Sequence, residues 1–269
     1  MKVQVKIDRS CVRFLSGAVF AGEYVLDDPF KPYLRQLNTP AGHSVTVVSP
    51  GDHRHHKGLM YGLRAADVNW WEEGPGSGGC GVQEVIRTDA VDGGIRQELL
   101  WREEGGGLHT YREQREITCV CDGTAFVWQW RTHRESLREH RLVKSEWSLP
   151  IPDGRKINYH GLGIRLPWVW AHGGDDARAF NGLDVGGEPS TPMSACGTSG
   201  PEVTWWGNID GYWSPPVAAV TMAQAQQFSW FLIKGDFAYL AVGPSNEKEL
   251  DIRTGELAEE AYNVRVEDR

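Results

Sequence analysis

The chain has no run approaching the ~20 apolar residues of a membrane-crossing helix. It also has no GxxxxGK[ST] phosphate loop, no GxSxG nucleophile elbow and no HExxH zinc helix. These absences remove membrane spans, P-loop nucleotide chemistry and the commonest serine and zinc hydrolase arrangements from consideration. A net positive charge is missing too: 28 Lys and Arg against 36 Asp and Glu leave −8 over 269 residues. The basic residues are interleaved with acidic ones, so no surface would track a phosphate backbone and nucleic acid is not an expected partner.

Cysteine is scarce. Cys11, Cys80, Cys119, Cys121 and Cys196 offer no CxxC spacing, and a chain of this length needs no disulfide framework, so reduced and buried thiols are expected. Helical patterning is rare as well; the best stretch, 134–141, is short and charged on nearly every face, and reads as a strand rim or loop. The first residues, 1–14, alternate polar and apolar instead of forming a signal peptide's apolar core. A cytoplasmic protein is the resulting expectation.

Period-two alternation is what the sequence has in abundance. It recurs over 3–7, 44–48, 82–86, 116–120, 126–130 and 237–242, with turn signals such as Asp92-Gly93-Gly94, Asp122-Gly123 and Asp153-Gly154 between the runs. No strand–helix rhythm, fixed-period repeat or low-complexity linker interrupts the pattern. The expectation is an all-β chain, one antiparallel sandwich over 1–269, with few short helices. The irregular stretch from Gly182 to Pro201 reads as a lid or an insertion beside a site.

The 12 tryptophans include several in polar settings, among them Asn69-Trp70-Trp71-Glu72 and Thr204-Trp205-Trp206-Gly207. Flat aromatic faces beside hydrogen-bonding groups suit sugars, although tryptophan also simply packs sandwich cores. Chemistry concentrates in Asp52-His53-Arg54-His55-His56-Lys57-Gly58. In extended backbone His53 and His55 share one face and Arg54 and His56 the other. His53 and His55 could then ligate a divalent metal, with a third ligand from Asp52, Glu72, Glu113, His109 or His160. Equally, imidazoles oriented by Asp52 can move protons without a metal, while Arg54 and Lys57 would repel a cation and welcome an oxyanion. A further strand face carries His109, Tyr111, Glu113 and Arg115, and a glycine-rich stretch carries His160 and Arg165; each is either a site wall or ordinary structure.

Pro32-Tyr33-Leu34-Arg35, the run 38–46, Asp52-His53-Arg54-His55-His56-Lys57-Gly58-Leu59 and Asn69-Trp70-Trp71-Glu72 together resemble the N-terminal signature of a bacterial family labelled PmoA-like. Glu113-Gln114-Arg115 and Gly161-Leu162-Gly163-Ile164-Arg165 are similar to its later motifs. Gln36 and Gly243 depart from the proline and histidine usual at those places. The methane-oxidation sense of the label is discounted, because such subunits span membranes.

What the resemblance implies is a sandwich of galactose-mutarotase type that binds a small carbohydrate across one sheet. It also implies association with Gfo/Idh/MocA sugar dehydrogenases. On that analogy the chain is a lyase, hydrolase or epimerase acting at a carbon of a glycoside or keto-sugar. His55 and His56 form the acid/base pair, with Asp52 orienting His53 or His55. Glu113 is the opposed carboxylate, Arg115 and Arg165 hold oxygens, and Trp70 and Trp71 stack on the ring. Arg35, Lys57, Asn69, Glu72 and His160 complete the binding set. A noncatalytic carbohydrate-binding protein and a metal enzyme with His53 and His55 as ligands are the alternatives.

Overall fold

A computed structural model describes residues 2–73, 79–172, 181–211 and 215–269. Two large sheets account for most of it. The eight-stranded sheet runs in the order Gln4–Ile7, Cys11–Ser16, Val19–Val25, Tyr33–Leu37, Leu59–Gly62, Gly161–Arg165, Ala238–Val242, Trp230–Lys234. The nine-stranded sheet runs Glu188–Pro189, Asn181–Val185, Glu202–Asn208, Val217–Gln224, Leu257–Asp268, Ala125–Ser136, His109–Cys121, Gly94–Glu103, Gly81–Val91. Neighbouring strands pair antiparallel throughout, as short alternating runs joined by tight turns dictate.

The two sheets face each other across one apolar layer. Leu59, Tyr61, Leu162, Ile164 and Leu240 of the first meet Leu99, Trp101, Trp128, Trp130, Val220 and Val264 of the second. Alternate residues of the eight-stranded sheet point the other way. Met60, Phe231, Tyr239 and Ala241 gather with Trp71, Ile151, Ile157, Tyr159 and Cys196 into a smaller cluster on the outer face. That outer face is where the histidine segment lies.

Two arginine–carboxylate pairs are embedded between the sheets. Arg115 is paired with Glu113, and Arg134 with Glu260, all four almost without solvent exposure. Period-two alternation explains the placement, since Glu113 and Arg115 fall on the same inward face as Tyr111 and Ile117.

Two expectations need correction. The run 44–48 is not a ladder strand but an extended segment tied by single bonds, Val45 N–H to the Leu37 carbonyl and Val47 N–H to that of Arg165. The stretch 182–201, expected to be irregular, is not. It holds two of the strands, a capped helical turn Pro192–Ala195, and hydrogen bonds from Gly197 and to Thr198 that cover the edge strand at Trp230. Segment 134–141, by contrast, ends one strand and begins another, as expected. All five cysteines are buried, with no disulfide, and no helix among the described residues is long and apolar enough to cross a membrane.

Candidate functional site

The segment 49–58 does not stay extended. His53 N–H bonds the Pro50 carbonyl, His56 N–H bonds that of His53, and Ser49 N–H bonds that of His56, closing two successive turns. Ser49 and Gly58 take left-handed backbone, φ 47° and 62°, and at Gly58 a side chain would also meet the Leu34 carbonyl oxygen. The turns bring His53, His55 and His56 to one place, which alternation alone could not do.

The three rings form a packed set. His53 lies parallel to His56 at 4.7 Å, His56 lies parallel to Tyr239 at 4.8 Å, and His55 stands edge-on to both histidines. Phe237 closes the side of the stack. Together with Glu72, Glu73, Trp147, Tyr159, Phe231 and Ile233 they line a cleft of about 510 Å³, within the usual range for a small-molecule site.

Hydrogen bonding orients two of the three rings. The buried Arg165 guanidinium donates to Nδ1 of His56 at 3.0 Å and to Asp52 at 2.7 Å. Guanidinium has no acceptor, so His56 Nδ1 must carry its lone pair and Nε2 the hydrogen. Asp52 in turn accepts from Nδ1–H of His53 at 2.9 Å, a bond that in the neutral tautomer puts the lone pair of His53 on Nε2. Two stacked rings thus present opposite functions, a lone pair on His53 Nε2 and a donor on His56 Nε2–H.

Charges around the stack reinforce this. Burial would raise the Asp52 carboxyl, but the Arg165 and His53 hydrogen bonds outweigh it and hold it down at about 2. His55 is pushed down to about 3 by burial first and then by Lys31, His53, Lys57 and Arg165. Burial first, then His55, His53, Arg165 and Lys31, push His56 well below the ordinary range. Both rings are therefore neutral near pH 7. Lys31 and Lys57 are buried beside the cleft with their ammonium groups turned to Glu73 at 2.6 and 2.8 Å, and Lys57 also to Asp28. On the cleft side the charge presented is carboxylate, from Glu72 and Glu73.

Asn69 positions Glu72. Its side-chain oxygen accepts from the Trp71 and Glu72 N–H groups, and its Nδ2 donates to a Glu72 carboxylate oxygen. The same turn sends Trp70 into the layer between the sheets, against Trp101 and Tyr111, and Trp71 beneath the cleft. Neither indole has an exposed face, so the expected stacking role is corrected for both. Glu113 and Arg115 are corrected likewise: they lie in the sandwich core, because inward alternation buries them. Arg35 is exposed, pairs with the buried Glu23 and does not line the cleft.

Lys57 and Arg165 support the cleft from behind instead of touching its space, and His160 lies under it, fully buried against Trp71. His109 is exposed at a strand end, away from the cleft. Residues not anticipated are Glu73, Trp147, Tyr159, Phe231, Ile233, Phe237 and Tyr239. Phe237 and Tyr239 were readable as one face of a flagged strand run; Trp147 had no sequence signal.

A divalent cation does not fit the donor set. Among the described residues no group of three or more His, Cys, Asp or Glu is placed to hold one. His56 Nδ1 is engaged by Arg165, while Lys31, Lys57 and Arg165 put positive charge around His55.

Neutral buried histidines also dictate how stability varies with pH. His160 resembles His55: Asn158 Nδ2 donates to its Nδ1, and burial, then Arg64, pushes it down to about 3. The unfolded chain protonates these rings near 6.5 and the folded chain does not, so their contribution is complete above 6.5 and is lost as pH falls from 6.5 toward 3. Melting temperature should therefore fall steadily over that window. It should fall less steeply in His160→Gln, whose amide oxygen can still accept from Asn158, and a flat profile in the native protein would contradict the assignment.

The family described as "Family of unknown function (DUF6807)" matches residues 8–269. That description carries neither the PmoA-like label expected from the motif run nor a link to sugar dehydrogenases. No curated protein sequence matches the chain. Among solved structures the chain is similar to a galactose mutarotase-like protein from Clostridium acetobutylicum, with TM-score 0.47 and 9% identity over 99% of this chain and 98% of that one. It is also similar to 4-alpha-glucanotransferase from Thermococcus litoralis, with TM-score 0.40 and 10% identity over 100% of this chain and 40% of that one.

Proposed function

We propose that this chain, which belongs to the DUF6807 family, is a carbohydrate-processing enzyme that uses histidine acid/base chemistry at a sugar carbon. The observation that carries the reading is the opposed hydrogen bonding of two stacked imidazoles, His53 held by Asp52 and His56 held by Arg165. Proton abstraction beside a carbonyl needs a lone pair near the C–H bond and a donor near the oxygen where negative charge develops. His53 Nε2 supplies the first. Neutral His56 Nε2–H supplies the second, as a hydrogen-bond donor that does not have to ionise. The C–H electron pair moves onto the carbonyl oxygen, and the proton taken by His53 is returned to the carbon or to a departing oxygen.

The lining favours a neutral polyol as the substrate. Tyr159, Phe231, Phe237 and Tyr239 offer aromatic surface, while Glu72 and Glu73 offer carboxylate oxygens that accept from hydroxyl groups. Among the described residues no lysine or arginine lines the cleft to receive an anionic ligand. Keto-sugars, the products of sugar dehydrogenases, have the acidified C–H bond that this arrangement can exploit.

The test is proton NMR in deuterium oxide with a panel of aldoses, methyl glycosides and their 3-keto derivatives. Native protein should exchange, invert or eliminate at a ring carbon of at least one, and His53→Ala should be slower by about 10²–10⁴-fold, the range for loss of a general base. A sugar that binds native protein and never changes would make the chain a carbohydrate-binding protein instead of an enzyme.

A further inference from the structure

The turn that carries Trp147 is built as part of the cleft. A single exposed apolar side chain is ordinary on any protein, and Trp147 is 73% exposed. Its setting is not ordinary. The turn beneath it is made by Ser145 and Ser148, both buried: Ser148 N–H and Oγ–H bond the Ser145 carbonyl, and the buried Asn158 side chain accepts from Ser145 N–H.

From this turn a chain of hydrogen bonds runs into the cleft. Trp147 N–H donates to Ser145 Oγ at 3.2 Å, Ser145 Oγ lies 2.7 Å from Tyr159 Oη, and Tyr159 Oη lies 2.7 Å from Glu72 Oε1. A carboxylate oxygen can only accept, so Tyr159 donates to Glu72 and the single hydrogen of Ser145 must point to Tyr159. Each link is thereby committed, and the backbone of the residue that carries the indole is held at a fixed place relative to Glu72.

We infer that Trp147 is the platform of an outer subsite, and that the ligand of this cleft is a glycoside of at least two rings. The reacting ring lies against the histidines and Glu72, and the second ring stacks on the exposed indole. This rests on the proposed carbohydrate reading and deepens it. A pyranose is apolar on its axial C–H face and hydroxylated at its edge, which suits an indole with one face in water. The chemistry of the inner cleft is unchanged by what occupies the outer place, so Trp147 sets which substrate is held, not the step that follows.

The experiment is calorimetric titration of the full chain with glucose, galactose and mannose and with the disaccharides cellobiose, lactose and mannobiose. It uses native protein, Trp147→Ala and Trp147→Phe, and sedimentation of each variant is recorded alongside. Native protein should bind one disaccharide about three- to tenfold more tightly than its monosaccharide, the range for one aromatic contact. Trp147→Ala should lose that preference with monosaccharide binding intact, and Trp147→Phe should restore part of it. Equal affinity for the two sizes in native protein overturns the subsite and leaves the carbohydrate reading standing. A change in self-association on Trp147→Ala with sugar affinities unchanged also overturns it, in favour of a contact between copies. No binding of any sugar overturns the carbohydrate reading itself, and the subsite with it.

Discussion

Glu113→Ala is expected to lower the free energy of unfolding by about 3–5 kcal/mol, as removal of one partner of a buried ion pair does. Four bonds converge on the carboxylate: two from Arg115 at 2.8 and 2.9 Å, one from Trp101 Nε1 at 2.7 Å and one from Thr132 Oγ1 at 2.6 Å. Burial alone would raise this carboxyl, yet Arg115 outweighs it and holds it below the ordinary range. Without the carboxylate, the guanidinium keeps only Tyr24 and Gln83 as partners, with the Trp130 ring 4.8 Å away. An unpaired charge in that layer is what makes the loss large.

Glu113→Met with Arg115→Met should cost less than Glu113→Ala alone, because no uncompensated charge remains, although Trp101 and Thr132 then lack an acceptor. Urea unfolding of the three proteins measures both effects. Activity per folded molecule should not change in either variant. If Glu113→Ala unfolded like native protein and lost turnover, its place would be in the chemistry after all.

Arg165→Met is expected to leave the fold nearly intact and to reduce turnover by about 10²–10⁴-fold, the contribution of a correctly poised acid/base pair. Arg165 is buried and bridges His56 and Asp52, with its guanidinium 4.2 Å from the Phe237 ring centre. Methionine keeps much of that apolar contact. Asp52 is partly exposed and can turn to water, so no buried charge is stranded. What disappears is the group that forces the hydrogen of His56 onto Nε2.

The pH profile distinguishes this positioning role from a merely structural one. Asp52, no longer held at about 2, should rise toward 3.8, and one of the cations that depress His56 is gone. The acid limb of the rate profile should move to higher pH. Arg165→Lys should be impaired as well, since one ammonium cannot reproduce the two divergent donors of the guanidinium fork. An unchanged profile in both variants would contradict the assignment.

The sheets were legible in the sequence because alternation is a local property. Runs such as 116–120 and 126–130 state their faces residue by residue, and those faces are the ones observed. The run 44–48 alternates equally well and fails, because its neighbours offer it single bonds and not a ladder. The histidine segment was legible as chemistry and not as geometry. Its composition marked it, while the turns at Ser49 and His53 that gather the three rings depend on bonds within the segment that no periodicity predicts.

Glu113 and Arg115 show the opposite failure. A charged pair on a strand face reads as a site wall or a solvated face, and the third outcome, full burial between two sheets, depends on which face meets the second sheet. Trp147 could not be found at all. Its role rests on Tyr159 and Glu72, which are distant in sequence and meet it only in the fold.

The two ion pairs between the sheets bear on how the sandwich avoids assembling wrongly. Arg134 stands opposite Ala258, and Glu260 opposite Thr132, so the pair reaches diagonally across the seam between Ala125–Ser136 and Leu257–Asp268. A slip of one residue along that seam would turn one strand's inward side chains outward. Arg134 or Glu260 would then be left in the apolar layer without its counter-charge. An all-apolar seam would resist that slip only by the exposure of its apolar side chains; here a stranded charge adds to the penalty. The buried charges thus act as a proofreading device for strand alignment during folding.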